Sequence, residues 1–218
     1  MAVAAQEPQS RRMSRKLPPP DAPPTKADID ACRRCDLGAK ATQGVNGEGP
    51  PNAWLMLVGE QPGNEEDLRG RPFVGPAGQL LRAILAEADI PVSRVYITNA
   101  VKHFSFLLRG KRRLHKTPLQ RHIAACNEWL EREIASHRPR VIVTLGATAL
   151  RAVLGRALGV GAARSQTLVR GNDDLPVIAT YHPSALLRAP DPQAAARLRK
   201  AVLDDLKRAW QRALGPGE

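Results

Sequence analysis

Four short apolar runs, at residues 54–58, 94–98, 141–145 and 177–181, punctuate the middle of the chain. The first, Trp54-Leu55-Met56-Leu57-Val58, is continuously apolar, as in a strand covered on both faces. Helical periodicity fills the intervals. Over 77–88, Leu80, Leu81, Ile84, Leu85 and Ala88 fall on one stripe. Thr117-Pro118-Leu119-Gln120 reads as a capping box with proline at the first helical position, opening a helix that runs to about residue 136. Gly146-Ala147-Thr148 turns into a helix ending near Gly155, 194–214 is a terminal helix, and 28–40 reads as a helical segment carrying two cysteines. Strands alternating with helices predict an α/β fold: three αβα layers around a central four-stranded parallel sheet.

Each strand but the third runs into a conspicuous polar cluster. Gly59-Glu60-Gln61-Pro62-Gly63 follows the first, Asn99-Ala100-Val101-Lys102-His103 the second, and His182-Pro183-Ser184 the fourth. In an open parallel sheet ligands bind outside the carboxyl ends of the strands, so these clusters converge on one site. The loops after the first two strands are long, which in a compact domain points to function or disorder.

Composition narrows the class. A chain of 218 residues suits one domain, here 27–215. Residues 1–26, with Pro18-Pro19-Pro20 and Pro23-Pro24, read as a disordered basic arm. The net charge of +12 points to a nucleic-acid partner, and only 4% aromatic residues argues against binding through many stacked bases. No apolar run approaches the roughly 20 residues of a membrane span. The N-terminus lacks the apolar stretch of a secretory signal, so a cytoplasmic monomer is expected. Three cysteines, an odd and low count, argue against a disulfide scaffold, and Cys32-x-x-Cys35 suggests a metal or redox pair instead.

The clusters offer specific chemistry, each with a plainer alternative. Glu60, beside a proline-fixed turn, can act as a base or face a developing cation; otherwise it is an exposed turn residue. Asn99 has the donors and acceptor to read a base edge such as that of uracil, or it merely caps a turn. His182 can hydrogen-bond a leaving group, or be a buried structural histidine. Lys111-Arg112-Arg113-Leu114-His115-Lys116 is a solvated or phosphate-contacting cluster, unless His115 is a nucleophile kept neutral by its cationic neighbours. With His103 and Cys126, the Cys pair makes a Cys3His set compatible with zinc or an iron–sulfur cluster. Cys126 could equally be a buried free thiol.

Together these elements resemble the uracil-DNA glycosylase superfamily over about residues 30–210, and in particular its iron–sulfur family-four branch. The resemblance rests on Cys32-x-x-Cys35, the Gly59–Gly63 motif, Gly70-Arg71-Pro72-Phe73-Val74-Gly75-Pro76-Ala77-Gly78, Thr98-Asn99-Ala100-Val101-Lys102, Cys126 and His182-Pro183-Ser184. Two departures, His103 where family four has cysteine and the basic insertion ending at His115, are similar to the X-type enzymes, as is Gln61 after Glu60. That resemblance implies excision of uracil from DNA, single strands favoured, followed by covalent attachment through His115. It implies a [4Fe-4S] cluster on Cys32, Cys35, His103 and Cys126. It implies a uracil pocket of Gly59, Gln61, Phe73, Asn99 and His182, with Glu60, His115 and His182 catalytic, and Lys111, Arg112, Arg113, Lys116 and Ser184 at the loop and DNA. A turnover glycosylase and a non-catalytic binder of damaged DNA are the alternatives.

Overall fold

The computed structural model describes residues 22–171 and 173–215. Most of the expected disordered arm, residues 1–21, lies outside the described residues, while Thr25 caps the first helix. Among the described residues the strands are β1 (Leu55–Gly59), β2 (Val95–Asn99), β3 (Phe106–Arg109), β4 (Arg112–His115), β5 (Val141–Leu145), β6 (Thr167–Val169) and β7 (Pro176–Thr180). The helices are α1 (Lys26–Asp30), α2 (Leu37–Lys40), α3 (Asn64–Arg69), α4 (Pro76–Glu87), α5 (Gln120–His137), α6 (Ala147–Leu154), α7 (Val160–Ala163), α8 (Pro183–Leu187) and α9 (Pro192–Leu214).

The main sheet has five strands in the order β2-β1-β5-β7-β6. The four expected strands are parallel, and β6 adds an antiparallel edge against β7. β1, β2 and β5 are buried along their whole length because helices cover both faces. Alternation sorts their side chains between two cores. Met56, Val58 and Ile142 pack with α5 and α6, whereas Leu55, Leu57, Val141 and Val143 pack with α4 and α9. Three layers result, as expected. The outer edge of β2 takes one antiparallel bridge, between Glu48 and Ile97.

Three local expectations need correction. The helical segment 28–40 is two short helices, α1 and α2, and the Cys pair lies in the break between them. Arg33 donates to the carbonyls of Asp30 and Cys32, diverting acceptors that a continuous helix needs. The helix expected at Thr117 begins at Gln120, because the His122 ring accepts from the Leu119 backbone N–H and makes Leu119 the cap. The basic loop is a β3–β4 hairpin whose tight turn places Gly110 at φ +59°.

One buried ion pair ties β2 to α5. Lys102 Nζ donates to Glu133 at 2.6 Å, to Thr98 Oγ1 at 2.7 Å and to the Asn99 carbonyl at 2.9 Å. Glu133 also accepts from Thr98 Oγ1 and the Gly47 N–H. Both side chains are fully buried. Removing one partner from such a pair leaves an uncompensated charge, so Glu133→Gln should lower stability by about 3–5 kcal/mol in urea unfolding.

Candidate active site

The chain passes from β1 outward to β2, then returns across to β5 and β7, so the crossover direction reverses between β1 and β5. A crevice opens at such a reversal, outside the strand ends. Here it is a cavity of about 410 Å³ whose walls include Glu60, Phe73, Asn99, His115, Ala147 and His182. The expected convergence of strand-end clusters is therefore present.

Glu60 and Thr148 come from the two sides of the reversal. Thr148, in the first turn of α6, donates to Glu60 Oε2 at 2.5 Å. The other oxygen, Oε1, lies 3.1 Å from His115 Nε2. Burial alone would raise the Glu60 pKa, but the hydrogen bonds from His115 and Thr148 and the nearby histidines outweigh it and hold the carboxyl below its ordinary value. The carboxylate is thus charged, half-buried and aimed at the imidazole.

His115 ends β4, opposite Phe106, with half its side chain exposed toward the cavity mouth. Two anchors carry it there. Gln61 accepts from the Ser105 N–H and donates to the carbonyls of Ser105 and Lys116, clasping the hairpin base on both strands. Arg113 donates to Asn64, Thr42 and the buried Asp67, and lies over the rings of Phe104 and Phe106. The side chain of Gln61 is thereby committed to the hairpin, although the residue still lines the cavity. Lys111, Arg112 and Lys116 are exposed on the hairpin surface.

The remaining wall is built by close approach. A Cβ on Gly59 would lie 2.4 Å from Asn99 Oδ1 and 2.6 Å from Phe73 Cζ, so only glycine admits both side chains. Asn99 is buried, and its Oδ1 has no hydrogen-bond partner. A buried acceptor left open at a cavity wall is a site waiting for a donor. Phe73 adopts φ +52°, and a Cβ on Gly78 would fall 1.8 Å from its carbonyl oxygen. Glu66 bridges the flanking loops, accepting from the N–H groups of Gly63 and Gly75.

His182 caps α8. Its Nδ1 accepts from the Ser184 N–H at 3.1 Å and lies 2.8 Å from Ser184 Oγ. The ring proton therefore resides on Nε2. Burial pushes the His182 pKa down to about 4, so a neutral N–H donor faces the cavity at ordinary pH. Ser184 serves here to orient His182.

Thr148 and Glu66 were not anticipated. The available signal for Thr148 was its place after the third apolar run, the one strand end without a conspicuous cluster.

The cysteines are free; Cys32 and Cys126 belong to one core cluster, and the partly buried Cys35 packs against it. Trp129 Nε1 donates to Cys32 Sγ at 3.4 Å, and the Lys102 backbone N–H to Cys126 Sγ. The buried His103 ring packs on Gly38, where a Cβ would sit 3.5 Å from its Nε2. Sulfur-rich donors receiving N–H hydrogen bonds suit an iron–sulfur cluster. Among the described residues no three His, Cys, Asp or Glu side chains are gathered to hold a metal ion.

Comparison with known proteins agrees with this geometry. Residues 46–207 match the model of the Uracil DNA glycosylase superfamily. The chain is 40% identical over 186 residues to the Type-4 uracil-DNA glycosylase of Thermotoga maritima, spanning 83% of this chain and 88% of that protein. It is 35% identical over 200 residues to the Type-4 uracil-DNA glycosylase of Sulfurisphaera tokodaii, spanning 88% and 84%. A Type-5 uracil-DNA glycosylase of Pyrobaculum aerophilum is 35% identical over 153 residues, spanning 63% and 64%.

Two titrations check the electrostatics. Thr148→Val removes one of the hydrogen bonds that favour the charged carboxylate, so Glu60 should titrate at higher pH than in wild type by carbonyl-region NMR. His182 resists protonation in the fold from its ordinary 6.5 down to about 4, so stability is lost as pH falls through that window. His182→Gln should flatten that part of the stability–pH curve in chemical denaturation.

Proposed function

Since the chain belongs to the uracil DNA glycosylase superfamily, we propose that it excises uracil from DNA and, as in the X-type branch, remains covalently attached through His115. The observation that carries the covalent reading is the His115–Glu60 contact of 3.1 Å at the mouth of the cavity. An ordinary glycosylase would place water there.

Each wall has a task. Phe73 offers an apolar face for the extruded base. Asn99 Oδ1, the open acceptor, takes the uracil N3–H, and the amide N–H reaches O4. As the bond from C1′ to N1 breaks, its electron pair stays on uracil and the sugar becomes oxocarbenium-like. Neutral His182 donates from Nε2 to the leaving anion, while the Glu60 carboxylate stabilises the cationic sugar. The imidazole electron pair of His115 closes on C1′, and the ring proton passes to Glu60. The products are a neutral N-alkylated imidazole and free uracil, which acquires that proton. Single strands are favoured because flipping then breaks no base pair. Exposed Lys111, Arg112 and Lys116 supply phosphate contacts along the hairpin.

Cys32, Cys35, His103 and Cys126 would hold a [4Fe-4S] cluster. Its contribution would be a cross-link joining the break between α1 and α2 to the stretch after β2 and to α5. The support is the donor set, with its N–H bonds to sulfur.

Three measurements test these readings. On a denaturing gel, uracil-containing single-stranded DNA should give a shifted band with wild type and none with His115→Ala, which should release uracil catalytically. Glu60→Gln should slow excision on the order of 10²–10⁴-fold. Free uracil without a wild-type band would establish the turnover alternative, and no uracil at all the pure binder. Anaerobically purified protein should be brown, absorb near about 400 nm and contain about four irons; a colourless, zinc-bearing protein would overturn the cluster.

A further inference from the structure

Arg151 stands apart from the protein's other half-buried arginines. Arg113, Arg164, Arg199 and Arg208 each donate to oxygens of the fold, as do the buried Arg132 and Arg170. The Arg151 side chain makes no hydrogen bond or ion pair among the described residues, and its Nε is buried without a partner. It lies one turn beyond Thr148 on α6, at i+3, on the same helix face as the residue that holds Glu60.

Arg151 lines a groove of about 250 Å³ whose other walls are largely apolar, with Pro118, Ile123 and Leu158 among them, and which contains no carboxylate. Thr117 and Ala147 line both this groove and the active cavity, so the two are contiguous. A planar guanidinium with free N–H groups matches a phosphate, and apolar walls suit the face of a sugar or base. The ligand entering the neighbouring cavity is a polyanion.

We propose that this groove seats the nucleotide adjoining the excised uridine on the same strand, with its phosphodiester on Arg151. The inference rests on the DNA-glycosylase reading for its ligand and adds a subsite to it. Arg151 is here a binding residue, outside the chemistry of bond cleavage.

The test uses the full chain and a single-stranded oligonucleotide carrying a tetrahydrofuran abasic analogue, which binds without reacting. Fluorescence anisotropy across a salt series should show Arg151→Gln weakening affinity about 3- to 30-fold and lowering the slope of log K against log salt by about one. Arg151→Lys should restore the slope. A loss of mere packing would lower the melting temperature and leave the slope unchanged. For wild-type protein, which needs no variant to fold, a neutral methylphosphonate beside the abasic position should reproduce the loss at one of the two flanking phosphates. At that phosphate Arg151→Gln should lose nothing further. Unchanged affinity and slope, or additive losses at both phosphates, overturn the subsite. Wild-type uracil release, scored separately, distinguishes the two readings. Release with no effect of Arg151 removes the subsite alone. An altered slope without release keeps a phosphate site and removes the glycosylase.

Discussion

The Lys102–Glu133 pair is the constraint from which the site takes its shape. An ammonium with no access to water needs every proton placed, and the three go to Glu133, Thr98 and the Asn99 carbonyl. Those acceptors lie at the end of β2 and on α5, so satisfying one charge fixes the exit of a strand. Asn99 leaves that strand with its backbone held and its side-chain oxygen open. A hydrophobic pair of similar volume could stabilise the core as well, but it would not hold the Asn99 carbonyl. The buried charge thus orients the group proposed to read the base.

A second layer of constraint comes from the loop after β1. Gln61 and Glu66 are polar side chains spent wholly on backbone partners, one clasping the β3–β4 hairpin, the other joining the turns at Gly63 and Gly75. Glu60 immediately precedes Gln61 in sequence, and its second oxygen is taken by Thr148. Little freedom is left to a carboxylate that faces an imidazole and, in the proposed reaction, a sugar. Preorganisation of this kind removes the reorganisation that water would otherwise require.

Much of this was legible in the chain because burial on both faces writes strands as apolar runs and the strand ends as polar punctuation. All four parallel strands and the converging clusters follow from that. The short edge strand β6 escaped because its three residues, partly exposed, carry no continuous run. The hairpin escaped because its charges dominate the reading, although Gly110-Lys111 between two four-residue stretches is a turn signal. The break between α1 and α2 depends on Arg33 bonding to carbonyls, a choice that helical periodicity does not encode. The Thr148–Glu60 bond was invisible for a deeper reason: it joins residues 88 positions apart through the strand order, which only the folded sheet reveals.

The hairpin's two strands pair only with each other, and Leu107 and Leu108 on β3 stay largely exposed. Its hold on the domain is chiefly polar, through Gln61 and Arg113. A part attached in this way can be gained, lost or exchanged in evolution without opening a hole in the core. Base selection would then reside in the sheet, and the fate of the sugar in a detachable appendage. Two outcomes of one bond-breaking event become separable traits, each free to change without the other.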